Sequence, residues 1–170
     1  ITINEPQCFV AMGYGTGEHA PFEKVGDEEL KNISRNVMLA HGKAVKVIRK
    51  YAKIQPKISF APTAGLVMPT ENKTEEEAYK RMFDIKYGGA FCPAWWSDPI
   101  VLGKAPKGCD WLSKEDLKEI CQPLDFYSFN IYNANNGGEF SLDYEGIPRT
   151  DMGWTITPEC LYWAAKFFYK

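Results

Sequence analysis

The chain has 170 residues, 45% of them hydrophobic, with a formal net charge of −2, enough for one ordinary domain and without the basic bias of a nucleic-acid binder. Lys and Arg number 20 against 22 Asp and Glu and are scattered along the chain, so no nucleic-acid partner is expected. No apolar run is long enough to cross a membrane and no signal peptide opens the chain, so no membrane partner is expected either.

In Ile1-Thr2-Ile3-Asn4-Glu5-Pro6 apolar and polar residues alternate, which is a short strand, and Pro6 ends it because it can donate no ladder hydrogen bond. Glu5 is thereby set at the carboxyl end of a strand, where an α/β barrel does its chemistry. Ile1 already lies inside that strand, so an excerpt, a proteolytic product or one half of something larger is expected. Gly13, Gly15 and Gly17 then follow in a stretch running to Glu18-His19-Ala20-Pro21. The spacing is not the G-x-G-x-x-G of a dinucleotide loop and opens no helix, so it is read as a glycine-bent loop.

Asp27 is a suitable N-cap for the apolar series Leu30, Ile33, Val37, His41, Ala44, Val45, Ile48 and Tyr51, which predicts an amphipathic helix of about 24 residues. His41 falls on its apolar side and is read as a hydrogen-bonded core residue. Lys57 to Pro62 predicts a second strand, again ended by proline. Thr74 with Glu77 is a capping box that opens a helix through Ala78, Met82, Phe83 and Ile85 toward Gly88-Gly89. An aromatic turn from Phe91 to Pro99 leads to a second capping box, Ser113 with Asp116. Leu124 to Asn130 predicts the third strand, with Tyr132 and Asn133 just past its end. Asn136-Gly137-Gly138 marks a turn, Thr150 to Trp154 closes the long loop, and Pro158 suits the first turn of a last helix from Glu159 to Phe168.

Cys8, Cys92, Cys109, Cys121 and Cys160 include no CxxC pair, and His19 and His41 add no cluster. Reduced thiols in a cytoplasmic protein are expected, with no metal and no cofactor. The alternation of strand and helix predicts an α/β fold with parallel strands: a single partial (β/α)8 barrel segment over residues 1–170, of about three β/α units. Three strands cannot close a barrel, so self-association through exposed sheet edges is also expected.

Thr2-Ile3-Asn4-Glu5-Pro6, Gly13 to Pro21, Asn36 with Leu39-Ala40-His41-Gly42-Lys43-Ala44-Val45, Trp95 with Asp98-Pro99, Pro123-Leu124-Asp125-Phe126, Asn130-Ile131-Tyr132, and Thr150-Asp151-Met152-Gly153-Trp154 with Pro158 and Leu161 together resemble family 1 glycoside hydrolases of the β-glucosidase type. The resemblance implies the fourth to sixth β/α units of a barrel that cleaves β-linked sugars with retention of configuration. It implies Glu5 as general acid/base, with a raised pKa, and Asn4 as the residue that bonds the sugar hydroxyl beside the anomeric carbon. Asn130 and Tyr132 would lie at the base of the sugar site, the Tyr132 hydroxyl donating to the nucleophile carboxylate, and Trp154 would line the leaving-group side. Read singly, Asn4 caps a turn, Tyr132 is a half-buried ring and Trp154 is packing; the joint occurrence carries the family reading.

Three positions depart from the family's pattern: Gln7 stands where Trp is usual, Arg35 where a His precedes the helix Asn, and Ala105 where Tyr is common. Gln7 is expected to alter the wall of the sugar pocket. The family's nucleophile motif, T-E-N-G, does not occur in the chain, and Glu139 and Glu145 lie in no comparable context, so the isolated chain is expected to carry the acid/base without its partner. The alternative is a non-catalytic part-barrel that binds sugars or assembles with another chain. Asn-Glu-Pro, instead of Asn-Glu-Ile, leans toward unphosphorylated β-glycosides as substrates.

Overall fold

A proline after the first extended segment, and polar side chains around the others, shape how the centre of the fold is joined; the second segment runs on past Pro62, where the sequence predicts its end. The computed structural model describes residues 1–134 and 145–170; the Asn136-Gly137-Gly138 turn and Glu139 lie outside the described residues. Residues 2–5, 58–64 and 125–134 run side by side, with parallel pairings at Asn4 with Ala61, Thr63 with Asn130 and Leu66 with Ala134. The expected strands are thus reduced to isolated bridges among the described residues. The first pairing is made by Thr2 N–H to Ser59 O at 3.0 Å, Ala61 N–H to Ile3 O at 3.1 Å and Glu5 N–H to Ala61 O at 2.7 Å.

Between the second and third segments, backbone bonds from Asp125 N–H to Ile58 O and from Asn130 N–H to Pro62 O, both 2.9 Å, share the rungs with side chains. Ser128 Oγ donates to Phe60 O at 2.9 Å, where a neighbouring backbone amide would otherwise serve. Asp125 Oδ2 accepts from Ile58 N–H at 2.7 Å. Gln7 is buried and uses both ends of its amide on one backbone unit, donating to Thr63 O at 3.0 Å and accepting from Thr63 N–H at 3.2 Å. Every buried backbone group needs a partner, and here the sequence supplies several of them from side chains. Gln7 therefore does structural work at the edge of the first segment.

The stretch after Pro6 is helical where a loop was expected. Gln7–Thr16 forms a wide π-helical run that ends at Gly17, whose φ of 72° is left-handed. Gly13 is required by close approach: a Cβ there would sit 2.7 Å from Ala20 O. The predicted long helix is α1 (Asp27–Tyr51), 25 residues, but its N-cap is Gly26, and Asp27 joins Glu28 and Glu29 in the first turn at the positive end of the helix dipole. Thr74 and Glu77 form the expected capping box of α2 (Glu75–Phe83). That helix stops earlier than predicted, because Asp84 turns extended and its carboxylate accepts from Lys86 N–H to start α3 (Ile85–Gly88).

The aromatic turn is likewise helical, a 3-10 turn at Gly89–Phe91, α4 (Pro93–Ser97) and a wide turn at Asp98–Leu102. Ser113 and Asp116 box the start of α5 (Lys114–Ile120), and Pro158 precedes α6 (Glu159–Tyr169). Among the described residues no helix is long and apolar enough to cross a membrane.

The helix α5 lies directly across α1. A Cβ on Gly42 would come within 2.1 Å of Glu119 O, so only glycine allows that approach. Arg35 clamps the same crossing, donating through Nε and Nη2 to the two oxygens of Asp116 at 2.9 and 2.5 Å. The bidentate bond holds the Asp116 carboxyl down at about 2, and Ser113 adds to it against the opposing effect of burial. One core then fills the space around Phe60, Met38, Trp96 and Ile120, and a second gathers Leu66, Met82, Ala164 and Phe167 under α2 and α6.

His41 connects α1 to the first segment. It is fully buried, its Nδ1 lies 2.6 Å from Thr2 Oγ1, and its ring meets Phe60 edge-on at 5.8 Å. Thr2 Oγ1 also donates to Ser59 O at 3.2 Å, so it receives the proton of His41 Nδ1 and leaves Nε2 bare. Burial pushes the imidazole down from 6.5 to about 4. The unfolded chain therefore holds more protons than the fold between those values. Stability is full above pH 6.5 and falls as the pH drops toward 4. Urea unfolding at stepped pH is expected to lose free energy from 6.5 to about 5, and His41→Asn to flatten that limb while lowering stability at pH 7 by about 1–3 kcal/mol.

Candidate active site

Glu5 is held by its backbone before its side chain does anything. Its N–H is fixed on Ala61 O, Pro6 follows, and its carbonyl accepts from Cys8 N–H at 2.9 Å as the helical run begins. Between these constraints Glu5 takes φ of 46°, a left-handed conformation that costs a residue with a Cβ about 1–3 kcal/mol. This kink lifts the carboxylate out at the end of the paired segments. Asn130 is held from the other side, its N–H on Pro62 O and its carbonyl accepting from Ala64 N–H, both at 2.9 Å.

The two ends converge. Asn130 Nδ2 donates to Glu5 Oε1 at 2.7 Å and to Asn4 Oδ1 at 3.0 Å. Tyr132 OH donates to the same Glu5 Oε1 at 2.6 Å. Cys8 Sγ donates to the other oxygen, Oε2, at 3.3 Å. Trp154 joins through its ring, 5.3 Å from that of Tyr132 and tilted 46° to it. The turn that presents it is closed by Gly153 N–H to Thr150 O at 2.8 Å and by Trp154 N–H to Thr150 Oγ1 at 3.2 Å. Tyr132 and Trp154 remain 56% and 41% exposed, so both side chains are accessible from solvent.

All five residues singled out in the sequence, Asn4, Glu5, Asn130, Tyr132 and Trp154, are brought together. Two expectations are corrected. Tyr132 donates to Glu5 itself, where the resemblance implied a nucleophile carboxylate as its acceptor. The Glu5 pKa is lowered, not raised: burial pushes it up, but the donors Tyr132, Asn130 and Cys8 together outweigh that. Cys8 was not foreseen as a site residue. The signal was present in Glu5-Pro6-Gln7-Cys8, since one helical turn brings residue i+3 beneath residue i. Among the described residues no group of three or more His, Cys, Asp or Glu is arranged to hold a metal ion.

Chemically, this is a partly open carboxylate whose ionised form is stabilised by three donors, flanked by two amide side chains and an aromatic ledge. Amides that bond hydroxyls and rings that stack on apolar sugar faces are the usual means of binding a carbohydrate.

Comparison with known proteins agrees with that chemistry. The family model for glycosyl hydrolase family 1 matches residues 1–170. β-Glucosidase A of Acetivibrio thermocellus is 33% identical over an alignment covering 95% of this chain and 39% of the relative. β-Glucosidase A of Thermotoga maritima is 31% identical, with 98% of this chain and 39% of the relative covered. The solved family 1 β-glucosidase of Thermotoga maritima superposes with a TM-score of 0.74 at 28% identity, covering 98% of this chain and 39% of that one. The same enzyme has been solved in complex with deoxynojirimycin. The chain thus spans about two fifths of the relatives it matches, and the solved barrels to which it is similar fit a partial (β/α)8 barrel.

The bond between Tyr132 and Glu5 can be read from the phenol. It is pushed up from 10 to about 12 by that bond first, then by burial and by the charges of Glu5 and Cys8. In Glu5→Gln the Tyr132 ring carbon, followed by NMR against Tyr132→Phe, is expected to titrate closer to 10.

Proposed function

The chain belongs to glycosyl hydrolase family 1, and from that membership we propose that it supplies the acid/base half of a retaining β-glycosidase site for unphosphorylated β-linked sugars. The observation that carries the reading is the convergence of Asn4, Asn130 and Tyr132 on Glu5 at one end of the parallel segments. Active-site residues of β/α barrels sit at the carboxyl ends of their strands. On this reading residues 2–5, 58–64 and 125–130 are the fourth, fifth and sixth strands of the family barrel.

In the mechanism Glu5 protonates the departing glycosidic oxygen, then takes a proton from the water that attacks the glycosyl intermediate. Asn4 bonds the hydroxyl next to the anomeric carbon, an interaction that strengthens as positive charge develops on the ring. Trp154 offers a stacking face to the leaving group. A retaining site needs a second carboxylate about 5–5.5 Å from the first. Its charge would raise the Glu5 pKa, and on this reading the Tyr132 hydroxyl, which bonds Glu5 in this chain, would donate to that second carboxylate. The lowered pKa of Glu5 is that of an acid/base carboxylate lacking this neighbour.

A second reading, a part-barrel that assembles with another chain, draws on Ile1 and Phe126, exposed by 61% and 46% on the outer segments. Sedimentation of the isolated chain decides it: a monomer at all concentrations counts against assembly.

The catalytic reading is tested with an aryl β-glucoside. A family 1 enzyme carrying this segment together with a nucleophile carboxylate is expected to release the sugar with its configuration retained, and Glu5→Gln to lower kcat/KM about 10²–10⁴-fold. The isolated chain is expected to show no turnover. Robust release by the isolated chain, lost in Glu5→Gln, would show that the second carboxylate is already within it.

A further inference from the structure

The two oxygens of Glu5 are treated differently. Oε1 accepts from two strong donors, Asn130 Nδ2 at 2.7 Å and Tyr132 OH at 2.6 Å, whereas Oε2 accepts only the Cys8 thiol at 3.3 Å. An oxygen that already accepts two short bonds has little capacity left for a proton of its own, and the oxygen facing a thiol keeps its basicity because S–H is a weak donor. We propose that Cys8 is a positioning residue for Glu5, its thiol fixing Oε2 as the oxygen that carries the exchangeable proton.

Cys8 is well placed for this. It is one turn beyond Glu5, its N–H is bonded to Glu5 O at 2.9 Å, and its own carbonyl lies 3.1 Å from His19 Nδ1. The thiol is pushed up to about 11 by burial first, then by its bond to Glu5 and by the Glu5 charge, so it remains protonated, and hence a donor, through the neutral range. When Glu5 is protonated the same sulfur is a weak acceptor, and the contact survives in both protonation states. A hydroxyl at this place would be a stronger donor and would hold Oε2 ionised. Among the described residues, the titratable side chains that bond to Glu5 are Cys8 and Tyr132.

The catalytic meaning of this asymmetry rests on the proposed role of Glu5, but the asymmetry can be measured without turnover. The probe is the carboxyl carbon of Glu5, followed by NMR through its titration in the isolated chain and in Cys8→Ala, Cys8→Ser and Tyr132→Phe. The expected order of Glu5 pKa is Cys8→Ser below the parent chain and Cys8→Ala above it, each by about half a unit. Tyr132→Phe is expected to move it up further, which shows that the signal responds to lost donors. A Glu5 titration that coincides in the parent chain and both Cys8 variants while Tyr132→Phe shifts overturns the proposal. Because neither the substrate nor a second carboxylate enters this measurement, its failure leaves the glycosidase reading standing, and an inactive enzyme leaves the Cys8 result standing. In an active family 1 enzyme carrying the segment, the same substitutions are expected to move the basic limb of kcat/KM in the same directions, with KM little changed.

Discussion

The bond from Glu5 N–H to Ala61 O, 2.7 Å long, is the constraint on which the site depends. It fixes the last residue of the first segment against the second, and with Pro6 next in the chain the backbone has no extended path left. Glu5 takes the left-handed kink, the carboxylate turns outward, and the helical run that follows brings Cys8 back under it. The cost of that kink is met by what it allows: three donors on one carboxylate and the pairing of Asn4 with Asn130. Strained backbone held in place by its surroundings is a recurrent property of functional sites.

The same segments show how far the sequence could be read. The capping boxes at Thr74 and Ser113, the long amphipathic α1 and the core position of His41 were legible because each depends on residues a few places apart. That five candidate residues meet was legible only through resemblance; nothing local says that Asn130 lies beside Glu5. What the sequence hid was non-local. The loop after Pro6 reads as glycine-bent, yet Gly13 answers to Ala20 across a fold-back and the run is helical. Gln7 reads as pocket wall but is drawn to the Thr63 backbone, a partner that no spacing rule identifies.

Departures from a family's pattern are informative in this light. Arg35 occupies a position where histidine is usual, and the structure gives it the two oxygens of Asp116 on α5, a partner more than a hundred ångströms away along an extended chain. That ion pair belongs to the scaffold under the site: α1 carries His41, His41 holds Thr2, and Thr2 begins the segment that ends in Glu5. A run of packed contacts thus joins the ion pair at Arg35 to the segment that ends in Glu5.

The rungs supplied by Ser128, Asp125 and Gln7 have one more consequence. A ladder of peptide groups is indifferent to which residues compose it, so ordinary sheets tolerate wide exchange at their polar positions. Here the stitching is written in individual letters. A substitution at any of these unassuming serine, aspartate or glutamine positions therefore removes a rung that no peptide group replaces, and a reader who looked only for catalytic groups would mistake the resulting loss for chemistry.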